Sequence, residues 1–260
     1  MDIQIKKAIK AGNSSAVILP RSWLNKEVRV EIIKKSPEMI LIDVINILKD
    51  YIDLGSIIGI YLTGSYARGE ENISSDIDIL VLTNNIDKEI INEGIYNILI
   101  VSKELLKQKL IIDLLPIGQM IKEARPLLNS DYLNSIKINV TKRNVQWYLD
   151  TTENKLKIIR KVLDIVKRKD KYVSDLVAYT LILRIRTLCI IESLIENRIY
   201  LKKDFIRLIS IISGKTNAYE RYLIVKNNME VENGITIEET EALYLYLKDQ
   251  LVKVKKLLRN

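Results

Sequence analysis

The sequence predicts an α+β fold in three successive segments, and three observations carry that reading. Residues 1–36 show short alternating apolar runs broken by turn residues. Residues 37–140 mix compact Ile/Leu/Val runs with helical spacing, and residues 141–260 hold a 3.6-residue apolar period almost to their end. The expected organisation is a short β-rich N-terminal hairpin segment (1–36), an α/β core (37–140) and a C-terminal all-α helical bundle (141–260). A chain of 260 residues is long enough for two cores and a small appendage.

In the N-terminal segment, residues 3–9 alternate lysine with apolar side chains, Gly12-Asn13-Ser14 is turn chemistry, and residues 16–19 are apolar. Pro20 suits the first position of a brief helical turn through Trp23 and Leu24. Residues 28–32 alternate as a strand does. In the core, Ile40, Val44, Ile47, Leu48 and Tyr51 recur at helical spacing. Residues 57–62 read as the first core strand, with a helix expected from Tyr66. Residues 77–82 read as the second strand and, after a connection over 83–94, residues 96–101 as the third. Residues 103–128 read as mostly helical, interrupted near Pro116-Ile117-Gly118. In the bundle, Val145, Leu149, Leu156, Ile159, Leu163 and Val166 form one stripe. Residues 172–197 are apolar nearly all round, so that helix is expected at the centre. Residues 203–213 form a third helix stopped by Gly214 as a C-cap, and residues 216–227 a fourth. Thr236 and Glu239 form a capping box that opens the last.

Composition narrows the chemistry. There is no histidine, which excludes Ser-His-Asp and Cys-His catalysis, histidine zinc sites and histidine acid–base chemistry together. Metal chemistry must then run on carboxylates, which favours Mg²⁺ or Mn²⁺. The single cysteine, Cys189, excludes an intramolecular disulfide and fits a reducing cytoplasm. The opening residues are polar and charged, so no secretory leader is expected. The longest apolar stretch, residues 176–195, carries Arg184, Arg186 and Glu192 and fails as a membrane span. Charge is uneven: Lys and Arg against Asp and Glu number 8 and 3 in residues 1–36, 9 and 15 in 37–140, and 24 and 15 in 141–260. An acidic middle is thus flanked by basic segments, an arrangement suited to a polyanion such as a nucleoside triphosphate or nucleic acid.

The most informative stretch is 62–82. Gly64 and Ser65 follow an apolar run, and after a short polar link Asp76 and Asp78 open another. Side chains at i and i+2 of a strand share a face, so the two carboxylates project side by side. Like charges that close are tolerable when a cation sits on them. Paired carboxylates holding Mg²⁺ on nucleotide phosphates are a common solution for phosphoryl chemistry. A Gly-Ser turn complements them, because glycine lets backbone amides approach a phosphate and the hydroxyl can bond it.

These residues resemble the nucleotidyltransferase superfamily of DNA polymerase β, in particular its small bacterial and archaeal members and the kanamycin nucleotidyltransferase type. The matched positions are Gly64, Ser65, Asp76, Ile77, Asp78 and Ile79, with Tyr66-Ala67-Arg68-Gly69 and Ser75 also in keeping. The resemblance implies a mixed-sheet core and an enzyme that moves a nucleoside monophosphate from a nucleoside triphosphate to an acceptor hydroxyl. Asp76 and Asp78 would be catalytic and hold Mg²⁺ or Mn²⁺, while Gly64 and Ser65 would bind the nucleotide's phosphates. A bundle placed after such a core resembles the domains that complete the cleft in antibiotic nucleotidyltransferases. One position departs: the family carries a third carboxylate on the third strand, where this chain has Asn97. Asparagine can ligate through its carbonyl oxygen but brings no charge and cannot act as a base. Either a carboxylate is recruited from the bundle, with Asp150 and Glu153 as candidates, or the site binds nucleotide without turnover. Arg184 and Arg186 either grip phosphate or pair with bundle acids such as Asp175 and Glu192. Lys226, after Tyr219 and Tyr222, is a further triphosphate candidate, and Arg68 is expected to pair locally with Glu70 or Glu71.

The N-terminal segment resembles AbrB-like swapped-hairpin domains through Lys10, Gly12, Asn13, Ser14 and Pro20. That resemblance implies a homodimer and a candidate DNA-binding patch from Lys6, Lys7, Lys10 and Arg21. The alternative function it opens is an antitoxin-type DNA-binding regulator with a degenerate nucleotide-binding core.

Overall fold

The computed structural model describes all residues except 1, 2, 7, 32, 33, 73, 74, 168–171, 215, 216, 230–233 and 260. Met1–Lys35 and Ser36–Asn260 form two compact units. In the first, β1 (Ile9–Ala11) pairs antiparallel with β2 (Ser14–Ala16) in the register Ile9 to Ala16, around a turn where Gly12 has φ +61°. Pro20 leads into a single 3₁₀ turn at Arg21–Trp23. The expected strands over 3–9 and 28–32 are not formed among the described residues, apart from Ile9 itself. Apolar alternation makes a strand only where its face meets a partner. Here Ile3, Ile5, Ile18, Leu24 and Val30 stay exposed.

In the second unit, Ser36 caps α1 (Pro37–Leu48), whose Ile40, Val44 and Leu48 are fully buried. The chain then makes β3 (Ile57–Thr63), the one-turn helix α2 (Gly64–Arg68), β4 (Ile77–Thr83), β5 (Lys88–Glu93) and β6 (Tyr96–Ser102). Next come α3 (Lys103–Ile112), α4 (Ile117–Glu123), β7 (Arg125–Leu128) and α5 (Ser130–Ser135). The sheet order is β5-β6-β4-β3-β7, with β4 and β6 parallel and the other pairs antiparallel, so the sheet is mixed. Period-2 alternation splits its side chains between two cores. Ile60, Leu62, Ile77, Ile79, Val81, Ile98 and Ile100 pack on α1. Tyr61, Leu80, Leu82 and Val101 pack on α3 and α4.

Two strands of this sheet differ from expectation. Residues 88–93, read as connection, form an edge strand that turns back onto β6 at Gly94, where φ is +60°. Residues 125–128, read as helix, form the opposite edge strand. Pro126 disfavours helical geometry at Arg125, and an edge tolerates its missing N–H.

The remaining chain is helical: α6 (Lys142–Val166), α7 (Asp175–Ile195), α8 (Lys202–Ser213), α9 (Asn217–Lys226) and α10 (Ile237–Leu257), with a two-residue ladder of β8 (Tyr172–Val173) on β9 (Ile235–Thr236) before α7 and α10. Capping boxes at Thr141 and Thr236 start α6 and α10, Ser174 starts α7, and Gly214 ends α8 with φ +71°. Ten residues of α7 are buried, among them Leu181, Ile182, Ile185, Leu188 and Ile191, which makes it the central helix. Leu114 and Leu115, between α3 and α4, belong to the bundle's apolar cluster, and Leu110 and Ile138 pack against both it and the cluster on the α3–α4 face of the sheet. No helix among the described residues is long and apolar enough to cross a membrane.

Candidate active site

Asp78 sits on β4, directly opposite Thr63 of β3 and Asn97 of β6 in the sheet register. The chain leaves β3 at Thr63 and turns sharply through Gly64 into α2, which ends at Gly69 in left-handed geometry. Gly64 itself has φ +66°, and a Cβ there would lie 2.1 Å from Asp78 Oδ2. Glycine therefore brings the turn's backbone against the carboxylate. Burial pushes the Asp78 carboxyl above the usual carboxylate range. The hydrogen bond from Asn97 Nδ2 to Asp78 Oδ1 (3.2 Å) opposes this, the nearby Asp76 charge adds to it, and Arg68 opposes it. A second carboxylate and a dry setting are the conditions under which a divalent cation is welcome.

Gly64, Ser65, Asp76, Asp78 and Asn97 all line one half-open cavity of about 730 Å³. Its far wall comes from the bundle, where Arg186, Lys202 and Lys226 stand beside Tyr200, Tyr219 and Tyr222. Arg186 of α7 lies with its guanidinium carbon 5.9 Å from the Tyr200 ring centroid. Among the described residues it makes no salt bridge to a bundle acid, and neither does Arg184. Asp175 pairs with Arg221, and Glu192 pairs with Lys253 and accepts from Gln250. Arg184 donates to Thr151 Oγ1 (2.9 Å) and lies over Trp147, away from the cavity lining. Asp150 accepts from Gln146 and Glu153 pairs with Lys255, and neither lines the cavity, so the bundle carboxylates expected as bases stand elsewhere. Lys6, Lys10 and Arg21 are exposed in the Met1–Lys35 unit, while Lys7 lies outside the described residues.

One residue of the site had no signal in the sequence. Glu123, at the end of α4 and 7% exposed, accepts from the Gly64 N–H at 2.8 Å and from Arg68 Nη1 at 2.7 Å. Arg68 Nε also donates to Glu70 Oε2 (2.7 Å), the local pairing expected. Glu70 in turn accepts from the backbone N–H groups of Lys202 and Lys203 at 3.2 and 3.0 Å. Those are unsatisfied donors at the start of α8, whose N-cap Leu201 has no capping side chain. A buried Glu–Arg–Glu chain therefore ties the Gly-Ser turn to the bundle wall. Burial works against the Glu70 carboxylate, but the hydrogen bonds from Arg68, Lys203 and Lys202 outweigh it and hold its pKa below the usual value. The Gly64 amide, expected to face a phosphate, is already engaged by Glu123.

Asp76 and Asp78 fit a divalent cation of the Mg²⁺ class, which takes one or two carboxylates and completes its shell with water and substrate phosphates. Among the described residues there is no cluster of three or more acidic or sulfur ligands, so the protein's share of such a shell would be this pair, with the Asn97 side chain beside it.

The model of the nucleotidyltransferase domain family matches residues 43–201. Among solved structures, a nucleotidyltransferase-like protein from Exiguobacterium sibiricum is 12% identical, covering 83% of this chain and 75% of that one with a TM-score of 0.38. The spectinomycin adenyltransferase of Enterococcus faecialis, solved with ATP and spectinomycin, is 15% identical and covers 81% of this chain and 99% of that one, with a TM-score of 0.41. No curated protein sequence matches this chain. The family match runs from within α1 to the start of α8 and takes in well over half of the chain, which therefore belongs to the nucleotidyltransferase domain family.

Proposed function

We propose that the protein transfers a nucleoside monophosphate from a nucleoside triphosphate to an acceptor hydroxyl, releasing pyrophosphate. The observation that supports this is the single cavity lined by Asp76 and Asp78, by Gly64 and Ser65, and by Arg186 and Lys226 of the bundle. Mg²⁺ held by the aspartates would neutralise the triphosphate and polarise the α-phosphate. Ser65 binds phosphate oxygens with its hydroxyl, and Gly64 keeps the turn close enough to Asp78 for both to serve one ligand. Arg186 and Lys226 grip the outer phosphates across the cleft, the arginine bidentately. Asn97 orients Asp78 without adding charge. Among the described residues no bundle carboxylate lines the cavity as a base, so the acceptor's proton passes to water at the open side of the cleft.

The test is isothermal titration with each nucleoside triphosphate, with and without Mg²⁺, beside the Asp76→Asn/Asp78→Asn double variant. Metal-dependent binding that the variant loses is the expected result. Binding that survives in the variant would remove the aspartates from the site.

A second reading concerns the Met1–Lys35 unit, whose apolar side chains are exposed in the single chain. We propose that a second copy completes this AbrB-like hairpin, and that Lys6, Lys7, Lys10 and Arg21 of the dimer contact DNA phosphates. Gel shifts that weaken in Lys10→Ala/Arg21→Ala but not in Asp76→Asn would support it; equal shifts in all three would remove the patch.

A further inference from the structure

The charges in the cleft that are already committed say what kind of acceptor it can receive. Among the described residues, four carboxylates line the cavity: Glu70, Asp76, Asp78 and Glu123. Glu70 is taken up by Arg68 and by the N–H groups that open α8, and Glu123 by Arg68 and Gly64. Asp76 and Asp78 are the cation-holding pair of the proposed reaction. With a divalent cation in place, no lining carboxylate among the described residues is left to receive an ammonium group.

The cations are in the opposite state. Arg186, Lys202 and Lys226 line the same cavity, and no carboxylate among the described residues pairs with any of their side chains. Tyr200, 7% exposed, lines it too, with a buried hydroxyl that interacts with the Arg186 guanidinium and makes no hydrogen bond of good geometry. Such a group is expected to meet an oxygen of a ligand. The faces of Phe205 and Tyr219 complete a surface on which a base can stack. Beyond the cleft, the bundle keeps its excess of Lys and Arg, 24 against 15 acids over residues 141–260.

We propose that the acceptor is a phosphate-bearing hydroxyl compound, either a free nucleotide or the 3′ end of a nucleic acid, and not a cationic amino sugar. With the triphosphate held by Arg186 and Lys226, an amino sugar entering this cleft would meet the Lys202 ammonium and, among the described residues, no free carboxylate. A phosphate beside the acceptor hydroxyl meets Lys202 on the wall opposite the aspartates. In the transfer, the acceptor oxygen bonds to the α-phosphorus and the bond from that phosphorus to its bridging oxygen breaks. Pyrophosphate leaves with the electron pair, and the hydroxyl proton goes to water. This inference rests on the nucleotidyl-transfer reading, so the experiment separates the two.

The full-length protein is first titrated with nucleoside triphosphate and Mg²⁺. It is then incubated with α-³²P-labelled triphosphate and one of three acceptors: a short oligoribonucleotide with a free 3′ hydroxyl, a nucleoside 5′-monophosphate, or spectinomycin. Label is expected on one of the first two, at least about tenfold faster than on the antibiotic, with transfer falling as salt rises. Which of the two is labelled identifies the source. Lys202→Glu is expected to lower acceptor kcat/KM by about tenfold or more while triphosphate affinity changes by less than about threefold. Labelling of spectinomycin at a comparable rate, labelling of neither phosphate-bearing acceptor, or unchanged kcat/KM in Lys202→Glu would overturn the inference. Failure to bind triphosphate in the first step overturns the nucleotidyl-transfer reading itself, and this inference with it.

Discussion

A methyl group at position 64 would sit 2.1 Å from Asp78 Oδ2, on a backbone with φ +66°. Both the collision and the left-handed geometry penalise any other residue there. Gly64→Ala is expected to cost more than about 1 kcal/mol of stability. It should also weaken Mg²⁺-dependent triphosphate binding by about tenfold or more, read by titration on protein whose circular dichroism is unchanged. Affinity equal to the parent's would mean that the close approach of turn and carboxylate does not shape the site. This residue was legible in the sequence, because a glycine followed by serine at a fixed distance from two aspartates has few structural uses. Glu123 was not: an acid four residues after a glutamine on a short helix is ordinary, and only the fold brings it to the Gly64 amide.

At the level of elements, the Glu123–Arg68–Glu70 chain joins α4, α2 and the start of α8 through side chains about nine-tenths buried. Removing the central cation leaves two carboxylates buried without their partner, and breaking a buried ion pair from one side costs about 3–5 kcal/mol. Arg68→Met is therefore expected to destabilise more than Glu123→Gln in urea unfolding. The double variant should recover part of the Arg68→Met loss, because one of the stranded charges is gone. The Glu70 end of the chain is sensitive to acid. Its folded pKa lies below its unfolded value, so its contribution is fully present above the unfolded value, near 4.5, and is lost as pH falls through the folded one. Glu70→Gln should lower stability at pH 7 by about 1–3 kcal/mol, and the gap to the parent should narrow below about pH 4.5. A gap that stays constant from pH 7 to pH 3 would show that the carboxylate's charge does not stabilise α8. Elements followed their sequence signals where burial was symmetrical, as for α1, β3, β4, β6 and the bundle helices. They departed at the sheet edges, where β5 and β7 each have a single neighbour and the apolar pattern is weaker.

At the scale of the whole molecule, the two units differ in how they cover their apolar surface. Ser36–Asn260 has continuous cores on both faces of its sheet and through its bundle. The Met1–Lys35 unit leaves Ile3 at 84%, Leu24 at 72% and Val30 at 69% exposed. A segment this short cannot bury them alone. The full-length chain is expected to run as a dimer in light scattering, and Ile5→Lys/Val30→Lys should make it a monomer that still binds triphosphate. A parent protein that is monomeric at micromolar concentration would sink the proposed pairing.

The sequence by itself determined the mixed α+β character, the strand that carries Asp78 with Asp76 just before it, the Gly-Ser turn ahead of them and most helices with their caps. All of these rest on local periodicity and on residues whose geometry is set within a few positions. Only the tertiary structure decided that Arg186, Lys202 and Lys226 face the aspartates, that Asp150 and Glu153 do not, and that Glu123 and Glu70 are engaged by Arg68. Those outcomes depend on which side of a helix meets which edge of the sheet across more than a hundred residues of chain. Local spacing does not encode such distances, and the packing of sheet against bundle does.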